Sequence, residues 1–90
     1  MNDLMGGTFS VSADKRGEPL RACVRNAIER YFDHLDGHEV RNLYQMVLAE
    51  VEEPMLEAVM HRCDGNQTRS ARILGMSRST LRKKLALYRL

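Results

Sequence analysis

The residues best equipped for chemistry lie in "GNQTRSARILGMSRSTLRKKL", Gly65 to Leu85, which holds six Arg and Lys side chains and no carboxylate. Guanidinium and ammonium groups only donate, and crowded together they repel unless an anion offsets them. The chemistry this stretch suits is therefore anion binding. Catalysis has no candidate residues, because no phosphate-loop glycine pattern, nucleophile elbow or paired-carboxylate site is visible. His34 and His38 stand four apart across Asp36-Gly37, and His61 with Cys63 has the wrong spacing for a tetrahedral metal site. These histidines are read as surface residues, and no metal or cofactor is expected. Cys23 and Cys63 each fall within a helical pattern and are read as reduced, partly buried thiols.

The net charge of +2 conceals a strong polarity. Residues 66–90 carry seven Lys/Arg and no Asp/Glu, a charge of +7, whereas residues 1–65 carry seven Lys/Arg against twelve Asp/Glu, a charge of −5. An acidic body with a basic end implies an anionic partner confined to that end. Ninety residues suffice for one domain with a modest core, and chains this short often gain stability by associating. No apolar run approaches the length of a membrane span, and the start lacks a basic region followed by an apolar one, so a cytoplasmic protein without membrane contact is expected.

Three regions must position the basic stretch. Residues 1–18, rich in Gly, Ser, Asp and Thr, read as a flexible arm that forms at most a weak β-hairpin. Pro19 suits the first turn of a helix. After it Leu20, Cys23, Val24, Ala27, Ile28, Tyr31, Phe32 and Leu35 recur at helical spacing until Asp36-Gly37 stops the run. A second series, from Val40 through Leu43, Val47, Val51, Met55 and Val59 to Met60, predicts a long amphipathic helix. Pro54 interrupts it without shifting its phase, so a kinked helix is the better reading than two separate ones, at a cost of about 3 kcal/mol. Met46, Met55, Met60 and Met76 fall on apolar stripes and read as core or interface filling.

Asp64-Gly65-Asn66 ends the long helix, and Asn66 is a favoured N-cap for a short one from Gln67 to Leu74 with Ala71 and Leu74 inward. Gly75 is placed for the left-handed turn that ends it, Met76 follows as an apolar plug, and Ser77 caps a last helix whose buried face is Leu81, Leu85 and Tyr88. Two short helices around a glycine turn match a helix-turn-helix. Ser79, Thr80 and Lys83 then lie opposite the buried face, with Arg82 and Lys84 on its flanks. Arg78, in the first turn, is placed to donate a bidentate pair to guanine, while Thr80, Arg82, Lys83, Lys84 and the helix start capped by Asn66 address phosphates.

"LAEVEEPMLEAVM" (Leu48 to Met60) followed by the basic stretch resembles the Fis family of bacterial nucleoid-associated proteins, from about Pro19 to Tyr88. A weaker resemblance holds to the Fis-type C-terminal domain of enhancer-binding transcription activators. The family resemblance implies an all-α fold in which the first two helices of two subunits intertwine into a dimeric four-helix core, each subunit ending in a helix-turn-helix. It implies a homodimer that binds and bends double-stranded DNA, with sequence preference set largely by DNA deformability. The DNA contacts it carries over are Asn66, Thr68, Arg69, Arg78, Thr80, Arg82, Lys83 and Lys84, with Ser77 standing where the family commonly has Asn. Ala86 and Leu87 replace basic residues of enteric members, which implies weaker contacts to flanking DNA. The arm is shorter than the hairpin by which enteric members activate a recombinase, so that activity is not carried over.

Combined with the apolar stripes, the resemblance makes Val24, Ala27, Leu43, Val47 and Val51 the expected dimer interface. The organisation is thus an arm at 1–18, dimerisation helices at 19–64 and a DNA-binding helix-turn-helix at 65–90. The expected function is a non-enzymatic regulator of transcription in the nucleoid, with recombination and contacts to a recombinase or RNA polymerase left open. Two alternatives remain at this point: a helical interaction module that docks its basic end on an acidic protein, and a Fis-type helix-turn-helix domain of a transcription activator.

Overall fold

The computed structural model describes residues 9 and 17–90, so the arm and its proposed hairpin fall almost wholly outside the described residues. Among the described residues the chain is all-helical, with four helices: α1 (Leu20–Asp33), α2 (Leu43–Arg62), α3 (Gln67–Leu74) and α4 (Arg78–Tyr88). It divides into two compact units, Met1–Val40 and Arg41–Leu90. No helix among the described residues is long and apolar enough to cross a membrane.

In the first unit Pro19 occupies the N-cap of α1, one position before the first turn in which it was expected. Its ψ of 153° is extended, while its carbonyl already accepts from the Ala22 and Cys23 amides at 3.0 and 3.2 Å. The helix ends at Asp33, where the His34 amide donates to the Arg30 and Tyr31 carbonyls, and the ring Nδ1 of His34 donates to the Arg30 carbonyl at 2.7 Å. Asp36 and Gly37 follow with φ of 55° and 85°, the left-handed turn that stops the helix. No residue of α1 is buried, and Phe32 is half exposed.

The second unit is built on α2, which starts after Asn42, a left-handed residue at φ 57°, and runs unbroken through Pro54 for twenty residues. The amphipathic pattern expected for it is weak, because its apolar residues ring the helix. Leu56 is fully buried, whereas Tyr44, Met46, Val51 and Met55 are exposed. At the end of α2, Asp64 and Gly65 take φ of 53° and 82°, and the Gly65 amide donates to the Met60 carbonyl at 2.9 Å. That bond satisfies a carbonyl the helix would otherwise strand.

The core of this unit is small. Leu56, Ala71, Leu81 and Leu85 form its buried cluster, with Met60, Leu74, Met76 and Tyr88 packed against it. Ala71 lies in that cluster and Met76 packs against it from the turn, the inward placements their spacing implied. Cys63 is also buried, and neither cysteine is in a disulfide. Ser70 lies fully buried in α3 with a hydroxyl that has no hydrogen-bond partner. A buried unpaired hydroxyl costs about 1–3 kcal/mol, so Ser70→Ala is expected to leave the urea unfolding midpoint unchanged or to raise it. A clear fall in that midpoint would mean the hydroxyl stabilises the fold.

Candidate nucleic-acid interface

Each short helix begins with a side-chain cap. Asn66 Oδ1 accepts from the Arg69 amide at 3.0 Å, and Ser77 Oγ accepts from the Thr80 amide at 3.1 Å. One cap bond satisfies one of the amides a helix start exposes, which leaves others directed outward for an anion. Neither first turn contains an acid to compete. Between the helices Gly75 takes φ 77°, and the Met76 amide donates to the Ala71 carbonyl at 3.0 Å. The left-handed φ explains the glycine, since a side chain there would strain the backbone although nothing crowds the site.

Burying Leu81 and Leu85 fixes the rotation of α4 and turns its other face outward. Arg78, Ser79, Thr80, Arg82 and Lys83 are exposed, and Ser79, Arg82, Lys83 and Ala86 line a shallow open recess on that face. On α3, Thr68 and Arg69 are exposed beside the cap residue Asn66. The Ser77 hydroxyl donates to Thr80 Oγ1 at 2.9 Å, so the Thr80 hydroxyl keeps its own proton for an external acceptor. Ser77 also stands 3.3 Å from Ser79 Oγ. As a short side chain engaged in capping, it has little reach left for a base.

Lys84 departs from this arrangement. Its Nζ lies 2.8 Å from Glu52 Oε2, across on α2, and the side chain is less than one third exposed. Glu52 Oε1 accepts from the Tyr88 hydroxyl at 2.6 Å. Of the nine residues expected to address DNA, eight lie exposed on α3, α4 or their caps, and Lys84 instead ties α4 to α2. Sequence reasoning missed Glu52 altogether. The available signal was an acid inside an apolar series, four residues before the core residue Leu56.

Hydrogen bonds from Lys84 and then Tyr88 hold the Glu52 carboxyl below its ordinary value of 4.5, against the opposing effect of burial. The hydrogen bond to Glu52 is the main reason that the Tyr88 phenol is pushed up to about 12 from 10.0, with desolvation and the Glu52 and Glu53 charges adding to it. A depressed carboxyl stabilises the fold above its unfolded value and loses that contribution as pH falls through the lower folded value; a raised phenol stabilises below pH 10 and loses that contribution as pH rises toward 12. Ultraviolet titration of a Tyr31→Phe, Tyr44→Phe background is expected to show the Tyr88 phenol ionising near pH 12 and returning toward 10 after Glu52→Gln. No change on that substitution would mean the bond is not formed.

Two family profiles match the chain: "Bacterial regulatory protein, Fis family" over residues 47–88, and "DNA-binding protein Fis N-terminal domain" over residues 1–40. The chain is similar to the DNA-binding protein Fis of Histophilus somni, 54% identical over 71 residues that cover 79% of this chain and 72% of the relative. The protein of the same name from Pasteurella multocida is 55% identical over the same shares. That from Pectobacterium carotovorum is 48% identical over 81 residues, 90% of this chain and 83% of the relative.

Proposed function

Because the chain belongs to the Fis family of bacterial regulatory proteins, we propose that it is a homodimer that binds and bends double-stranded DNA, regulating transcription from within the nucleoid. The observation that carries this reading is the capped pair α3–α4, whose exposed outer face presents Arg69, Arg78, Arg82 and Lys83 in a segment without one acid. In the major groove, Arg78 at the leading end of α4 meets base edges as a donor fork matched to guanine O6 and N7. Arg69, Arg82, Lys83, Thr68, Thr80 and the helix start at Asn66 hold phosphates, which fixes orientation without reading sequence. No covalent chemistry is involved.

The dimer is supported by what one chain leaves uncovered. Val51 is 39% exposed, Met55 43% and Tyr44 72%, an apolar surface that a soluble monomer rarely tolerates. Val24, Ala27, Leu43 and Val47 are likewise half-buried or exposed within one chain. Burying these residues of 19–64 against a second copy places two α4 helices side by side. The duplex then bends to meet both, and deformable sequences bind best.

Fluorescence anisotropy of a labelled duplex of random sequence tests the reading. Binding is expected in dilute buffer, with log affinity falling linearly against log salt by about 0.9 for each phosphate neutralised. A module that docks on an acidic protein would leave the duplex free at every salt concentration.

A further inference from the structure

We infer that Glu52 sets how strictly the chain discriminates among duplexes, by withholding Lys84 from the phosphates and fixing the last turn of α4 through Tyr88. The inference rests on the DNA-binding reading above. Lys84 ends the "RKK" run from Arg82, where spacing alone gives it a phosphate to hold. In the fold its Nζ lies 2.8 Å from a buried carboxylate that also receives the Tyr88 hydroxyl. Glu52 is one of the few buried polar residues beside the core, and an ion pair so placed is weak evidence for stability, since apolar residues of similar volume often serve as well. Its consequence for binding is more specific.

Discrimination is a difference of affinities. A lysine on a phosphate tightens every complex alike, and so raises the background against which a preferred site must compete. Pairing Lys84 with Glu52 removes that uniform contribution. The same carboxylate ties Tyr88, 36 residues away in sequence, to the middle of α2. Leu81 and Leu85 anchor the middle of α4, and the Tyr88 bond anchors its end. A helix held at both points demands that the duplex adapt to it, which is the condition under which deformability is read as affinity.

The test uses the full chain, circular dichroism to confirm folding, and salt-dependent anisotropy on a random duplex and on a duplex selected for tight binding. Glu52→Gln is expected to steepen the salt dependence on the random duplex by about 0.9 per chain, one phosphate gained, and to narrow the ratio between selected and random duplexes several-fold. Lys84→Gln alone should leave the slope unchanged, and added to Glu52→Gln it should cancel the gain. Tyr88→Phe should narrow the ratio without altering the slope. An unchanged slope in Glu52→Gln, or a slope shallower by about 0.9 in Lys84→Gln alone, overturns the inference and leaves the DNA-binding reading intact. If the natural chain binds neither duplex, both fall. Should Glu52→Gln fail to fold, Lys84→Gln alone decides.

Discussion

Leu81→Ala is expected to unfold the α2–α3–α4 unit or leave it near its melting point at room temperature. Leu81 is fully buried and joins Leu56, Ala71 and Leu85 in a cluster of only four buried residues. Truncating a buried leucine costs about 2–5 kcal/mol, the lost transfer energy plus the cavity left behind. Small domains have total stabilities toward the low end of about 5–15 kcal/mol, so the loss consumes much of what holds this unit together. Leu87→Ala makes the same chemical change six residues on, at a position 70% exposed, and should alter stability by no more than about 0.5 kcal/mol. Thermal denaturation followed by circular dichroism checks both. Equal effects would mean that the rotation of α4 described above is wrong, and with it the outward placement of Arg78, Arg82 and Lys83.

The other large effect concerns binding. Arg78→Ala is expected to remove the preference for guanine facing α4, costing about 1–3 kcal/mol on duplexes that present it and little on others, and to leave the part set by deformability. Lys83→Ala should weaken binding almost equally on every sequence and lower the salt slope by about 1. The contrast follows from position. Arg78 begins α4, exposed beside its capped end, whereas Lys83 lies in the middle of the exposed face with Arg82 and Ser79. Gel shifts on selected and random duplexes separate the roles, and equal losses for the two variants contradict them.

The parts of the fold legible in the sequence were those set by short-range chemistry. Asn66 and Ser77 each cap the amide three residues on, and Gly75 takes the left-handed turn, so α3 has the bounds expected of it and α4 the expected start. Tyr88 fell on the buried face as its spacing from Leu81 and Leu85 implied. Misreadings arose where a residue answers to something distant. An amphipathic pattern was expected of α2, yet Leu56 serves the core of its own unit while Tyr44, Val51 and Met55 face away from it, and two demands on one helix blur its period. Lys84 shows the same limit at the site. Helical spacing puts it on the flank of α4, and nothing within four residues of it reveals Glu52. Only folding back by 32 positions brings carboxylate and ammonium together.

Sedimentation equilibrium of the full chain with a short labelled duplex in dilute buffer bears most directly on the central claim, that paired copies present their basic ends to one double helix. The mass expected is that of one duplex carrying two chains, with no appreciable population carrying one. A complex of a single chain on each duplex, or duplex sedimenting alone at that low salt, would contradict the account.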